Sequence, residues 1–163
     1  MPISIEDFRD VLRHFPAGVT LVTIKAGDET HGLTVSSFAS VSPEPPLILV
    51  CIDNSYPGNE LIHRDDAVMA VNILREGQDE ISNHFAFGEG DRFAKGNWTT
   101  AETGAPVLED ALAWLDCTIY SRQVAGTHTV CIGEVQASKV ITPDAAPLVY
   151  WNRAYRSIVE SQD

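Results

Sequence analysis

The chain has 163 residues, of which 44% are hydrophobic and 21% charged, enough for one domain with a full apolar core and the wrong balance for a globally disordered protein. Eleven lysines and arginines face 23 aspartates and glutamates, a formal net charge of −12 that repels nucleic acid and anionic membranes and sets both aside as partners. Cys51, Cys117 and Cys131 lie in separate apolar runs without CxxC spacing. They read as small buried hydrophobes in a reducing, cytoplasmic setting rather than as a disulfide framework.

Ser4 and Asp7 make a capping pair, and Ile5, Phe8, Val11, Leu12 and Phe15 recur at helical spacing until Pro16 ends the run. Residues 19–24 are β-branched and continuous, as in a buried strand. The turn Ala26-Gly27-Asp28-Glu29 returns the chain as a second strand over 31–36. A serine-rich turn and a proline stop then launch an almost wholly apolar third strand, 47–52. A short helix over 59–63, a strand over 67–74, a helix over 78–87 and a glycine- and threonine-rich loop over 88–104 follow. Three strands, 111–124, 129–141 and 148–151, complete the order, the first two joined by a hairpin turn at 123–127.

Strands follow one another without regular crossover helices, which disfavours a doubly wound parallel sheet. A mainly β fold is expected, a closed or nearly closed antiparallel barrel with peripheral helices, as a single domain over 1–163. No run is long and apolar enough for a transmembrane helix, and no basic-then-apolar leader opens the chain.

There is no GxGxxG after a strand, no Walker A loop, no HExxH and no GxSxG elbow. His14, His31, His63, His84 and His128 are scattered without ligand spacing, so no metal site is expected. In the strand ending at Ser36, Thr34 and Ser36 share one face while Leu33 and Val35 share the other. With Ser37 and Ser40 at the turn, these hydroxyls and free amides suit a phosphate; the plain alternative is a polar strand face ending in a serine-rich turn.

Cations are scarce. Arg92 and Lys95 lie in Asp91-Arg92-Phe93-Ala94-Lys95-Gly96-Asn97-Trp98, and Arg153 and Arg156 flank Tyr155. Arg92 or Arg156 is a candidate to neutralise a phosphate, the alternative being a solvated charge with its stem laid over an aromatic ring. His128, after Gly126-Thr127, stands at a strand mouth, where an imidazole can donate to a carboxamide, stack on a ring, or simply end a strand. Trp98, Trp114 and Trp151 read as core or interface fillers.

Together these segments resemble the short-chain flavin reductase family, whose members adopt the FMN-binding split barrel. Phe15-Pro16-Ala17-Gly18-Val19 is similar to its opening motif. Gly32-Leu33-Thr34-Val35-Ser36-Ser37-Phe38 with Ser40, Val41 and Ser42, then Pro45-Pro46-Leu47, is similar to its flavin segment. Asp91-Arg92-Phe93 with Trp98 resembles its loop motif, and Pro147-Leu148-Val149-Tyr150 with Tyr155-Arg156 its ending.

The resemblance implies an antiparallel split β-barrel acting as an NAD(P)H-dependent flavin reductase. Hydride would pass from NADH or NADPH to N5 of FMN or FAD, and reduced flavin to a partner monooxygenase. It further implies a homodimer and no catalytic side chain. Thr34, Val35, Ser36, Ser37 and Ser40 would line the flavin, with Ser36 and Ser37 towards the phosphate and main-chain groups near Pro16, Cys51, Ile52 and Asp53 beside it. Ser55 would add a second polar contact, Arg92, Tyr155 and Arg156 would complete the cofactor set, and His128 would meet the nicotinamide. Relatives carry Gly-Asp-His where this chain has Gly126-Thr127-His128. The rival readings are a flavin-binding electron carrier of the same fold, an enzyme acting on pyridoxine phosphates, which Ser36-Ser37-Phe38 with Pro45-Pro46 argues against, and a cofactor-free interaction module.

Overall fold

Apolar residues at every second position give most strands one face for an interior, and the architecture follows from closing those faces on one another. The computed structural model describes residues 2–159. Helix α1, Ile5–Leu12, starts where the Ser4 hydroxyl accepts the Asp7 amide at 3.0 Å, the bond expected of an N-cap serine. It stops short of Phe15, which a further turn carries past its end.

The strands are β1 (Ala17–Gly18), β2 (Thr20–Ala26), β3 (Glu29–Val35), β4 (Phe38–Pro43), β5 (Pro46–Asp53) and β6 (Val68–Ile73). After helix α2, Asp79–Phe87, come β7 (Trp98–Thr100), β8 (Pro106–Leu108), β9 (Ala113–Ala125), β10 (His128–Val140), β11 (Val149–Trp151) and β12 (Ala154–Arg156). Short 3₁₀ turns span Asn59–His63 and Arg92–Ala94. No helix among the described residues is long and apolar enough to cross a membrane.

Seven strands form one antiparallel sheet in the order β3-β2-β6-β9-β10-β5-β4. Its two outer strands, β3 and β4, are consecutive in the chain, so the sheet curls until its edges meet at Ser36-Ser37. There the Cys51 amide donates to the Ser37 carbonyl at 3.3 Å. The enclosed core takes Val22 and Ile24 from β2, Leu33 and Val35 from β3, Val50 and Ile52 from β5, Met69 and Val71 from β6, Cys117 and Cys131. The split β-barrel expected from the sequence is the fold observed.

A second layer covers the outer face of β2 and β3. Phe85 of α2 is fully buried with Val19, Leu21, Leu74, Leu108 and Leu148. The helix approaches this closely because Gly32 lies beneath it: a Cβ there would stand 2.4 Å from Phe85 Cε1. The hairpin β11–β12 pairs with β1 and ties the C-terminal segment to the end of α1, where the Trp151 indole donates to the His14 carbonyl at 3.0 Å.

Several boundaries depart from expectation. The segment read as a serine-rich turn is strand β4, an exposed edge held in place by pairing with β5. The loop over 88–104 contains a 3₁₀ turn and β7, which pairs with β8. Cys51 is only half-buried, unlike Cys117 and Cys131.

Candidate functional site: a cleft between the barrel, helix α2 and the C-terminal hairpin

Strand alternation turns Thr34 and Ser36 outward while Leu33 and Val35 point into the barrel. The Thr34 hydroxyl donates to the Ser82 carbonyl of α2 at 2.6 Å. From β12, the Tyr155 hydroxyl reaches Ser82 Oγ at 2.8 Å and Asn83 Oδ1 at 3.0 Å. Three elements are thereby bound around a cleft of about 270 Å³, walled by Val19, Asn83, Ala86, Phe87 and Tyr150 as well as Thr34, Ser36, Ser82 and Tyr155. Phe87 stands at its lip, 84% exposed. A neighbouring recess shares Ser36 and Tyr150 and extends past Ala17, Phe15 and Leu12 at the end of α1.

Ser37 points the other way. Its hydroxyl donates to the Cys51 carbonyl at 3.0 Å and accepts the Cys51 amide at 3.2 Å, fastening the corner to β5. Beyond it, Asp53 Oδ1 accepts the Ser55 amide at 2.8 Å and the Ser55 hydroxyl at 2.7 Å, a tight Asx turn. The amide bond first, then the hydroxyl bond, hold the Asp53 carboxyl below its ordinary range, with a smaller pull from His128. Register sets Asp53 opposite His128. Thr127 Oγ1 lies 3.0 Å from His128 Nδ1, leaving Nε2 to face outward partners. Gly126, at φ 60, supplies the left-handed residue this hairpin tip needs.

The predicted site residues therefore fall into groups. Thr34, Ser36 and Tyr155 meet at the cleft. Ser37, Cys51, Asp53, Ser55 and His128 follow the corner onto the ends of β5 and β10. Val35 and Ile52 are buried in the barrel, so their side chains face no ligand and only their main chain remains for one. Ser40 is exposed on β4 opposite Ile48, and Pro16 is exposed between the recess residues Phe15 and Ala17.

The two arginines lie elsewhere. Arg92 Nη1 donates to the His84 and Phe85 carbonyls at 2.8 and 2.9 Å, and its guanidinium lies 5.3 Å from the centre of the Tyr56 ring. It neutralises the C-terminal end of α2 instead of lining the cleft, since the carbonyl end of a helix attracts a cation. Arg156 stacks on Trp151 at 5.7 Å and lines a separate recess with Glu76 and Asp79, whose charges repel a phosphate. The α2 wall, Ser82, Asn83, Ala86 and Phe87, was not among the predicted contacts; no motif marks it, and only the helical spacing of 83 and 87 hinted at a shared face.

The sequence profile described as "Flavin reductase like domain" matches residues 12–159, and the chain belongs to that family. An actinorhodin polyketide dimerase of Streptomyces coelicolor is 40% identical over 154 residues, which cover 92% of this chain and 84% of that protein. HsaB of Mycobacterium tuberculosis, the reductase subunit of a flavin-dependent monooxygenase, is 36% identical over 160 residues, covering 96% and 83%. The solved structure of SgcE6 from Streptomyces globisporus, an NADH:FAD oxidoreductase in complex with NAD and FAD fragments, superposes with a TM-score of 0.89 at 32% identity, covering 100% of this chain and 99% of that one.

Proposed function

We propose that this protein is an NAD(P)H:flavin oxidoreductase that uses NADH or NADPH to reduce FMN or FAD and delivers the reduced flavin to a partner monooxygenase. The cleft carries this reading. Its walls, Val19, Ala86, Phe87 and Tyr150, suit a flat apolar ring system. Ser36 and Asn83 add donors that make no hydrogen bond to protein among the described residues. The Ser36 hydroxyl opens a path for a charged tail toward the corner, where the Ser37 hydroxyl is held by Cys51 and would have to turn away from it to meet a phosphate.

A bound flavin would itself supply the hydride-accepting atom. The residues of the chain orient it, exclude water from one face and bring the nicotinamide within reach, which is where their share of the rate acceleration arises. Thr127 leaves His128 Nε2 available to a carboxamide at the barrel mouth. The Ser55 donors are already held by Asp53, so a phosphate that uses them must displace that carboxylate. No general acid or base is assigned.

A homodimer fits the same surface. Helix α1 buries none of its residues, and Ile5, Phe8, Val11, Leu12 and Phe15 are between 51% and 75% exposed. An apolar stripe of that kind calls for a partner surface, and a second copy there would also wall the recess beside Ser36. The three free thiols agree with a cytoplasmic location.

Steady-state oxidation of NADH and of NADPH, with FMN and then FAD, tests the proposal. Saturable acceleration above the free-flavin rate is expected, and its absence at excess flavin overturns it. The second reading, a flavin carrier reduced by another protein, draws on Thr127, which gives His128 a neutral partner where relatives carry an acid. Tight flavin binding without saturation by either nucleotide would favour it.

A further inference from the structure

Helix α2 presents Asn83, Ala86 and Phe87 along one side of the cleft. Asn83 and Phe87 are one helical turn apart, with the small Ala86 beside them, so a planar group can lie flat there with a primary amide at its edge. The hydrogen bonds around that amide are unevenly shared. Asn83 Oδ1 accepts from Tyr155 at 3.0 Å, whereas its two N–H donors meet no protein acceptor among the described residues. Thr34 shows the reverse: its one proton goes to the Ser82 carbonyl at 2.6 Å, leaving oxygen lone pairs as what it can offer. Thr34 and Asn83 both line the cleft, which therefore offers an acceptor and a donor to one ligand.

We propose that the Asn83 amide donates to a carbonyl on the pyrimidine edge of the bound flavin, that Thr34 Oγ1 accepts from the adjacent ring N–H, and that Tyr155 is the positioning residue holding Asn83 in that orientation. This rests on the flavin reading above and names the groups that recognise the ring. A C(=O)–N–H edge is the chemistry that such a donor–acceptor pair selects. The nicotinamide carboxamide carries a similar edge. The flavin is the better match, because Thr34 lies two residues from Ser36, on the strand leading to the corner proposed for its charged tail.

The test uses full-length wild type, Asn83→Leu, Asn83→Asp and Tyr155→Phe. FMN affinity is read by fluorescence titration, the bound flavin by its visible absorption, and NADH by its KM. Asn83 is exposed, so unliganded melting temperatures should match wild type for both its variants. Asn83→Leu should weaken FMN roughly 3- to 10-fold, the worth of one neutral hydrogen bond. Asn83→Asp should weaken it further by turning a carboxylate oxygen toward a carbonyl, and both should shift the visible band. Tyr155→Phe should weaken FMN by a smaller factor while keeping the wild-type band.

Unchanged FMN affinity and spectrum in both Asn83 variants, with wild type binding FMN, overturn this assignment and leave the reductase reading standing. A raised KM for NADH with unaltered FMN affinity overturns it in favour of the carboxamide. Wild type that binds no flavin overturns the reductase reading and this assignment together.

Discussion

Replacing Gly32 by alanine probes how α2 is seated and hence how the cleft is built. A Cβ at this position would lie 2.4 Å from Phe85 Cε1 and 2.8 Å from Cδ1, where carbon atoms rest at about 3.5–4.0 Å. Phe85 has little room to retreat, being fully buried, edge-on to Phe93 at 5.6 Å and against Trp98 at 5.4 Å. Forcing a methyl into such packing costs about 1–3 kcal/mol, more than the roughly 0.4–1 kcal/mol that a stiffer unfolded chain returns. Since Asn83 and Phe87 ride on the same helix, flavin affinity should fall with stability. Phe85→Ala alone should cost about 3–5 kcal/mol, and in that background Gly32→Ala should be neutral or slightly stabilising. Urea unfolding of the four proteins measures the coupling. Equal costs of Gly32→Ala in the two backgrounds, or a Gly32→Ala protein as stable as wild type, would show that Phe85 does not constrain this position.

Two further outcomes follow from titratable groups. His31 packs edge-on to Tyr56, and its pKa is lowered first by burial and then by the Arg92 charge, against a weaker opposing pull from Glu60. With the folded value below the ordinary 6.5, the unfolded chain takes the proton first as pH falls. Stability from this residue is complete above about pH 6.5 and is lost as pH drops through the folded value. A pH series of melting temperatures should fall less steeply on the acid side for His31→Asn; parallel curves would count against this. Burial pushes the Cys117 thiol up to about 12 and Cys131 up to about 11. A thiolate-directed reagent at neutral pH should therefore label only the half-buried Cys51 quickly, and all three cysteines in denaturant; fast labelling of a second native thiol would contradict it.

The β2–β3 hairpin and the inward faces of Leu33 and Val35 were legible because alternation and turn chemistry are local. Strand β4 was not. Its serines and Pro43 speak for a turn, and only pairing with β5 overrides them. Strands β1, β7 and β8 span two or three residues each, and only partners distant in the chain or across a loop define them. At the site, Thr34 and Ser36 could be read from strand parity, whereas the Arg92 guanidinium could not be placed, because the carbonyls it meets exist only once α2 has ended there. Asn83 and Ser82 carry no motif, and their part in the cleft arises from Tyr155, more than 70 residues further along the chain.

In the proposed reading the flavin ring lies in the cleft between α2, β3 and the C-terminal hairpin. A crystal structure with FMN bound tests it most directly. The isoalloxazine is expected against Ala86 and Phe87 with its phosphate at the Ser36-Ser37 corner. FMN seated in the recess beside Arg92 or beside Arg156, with this cleft left empty, would contradict it.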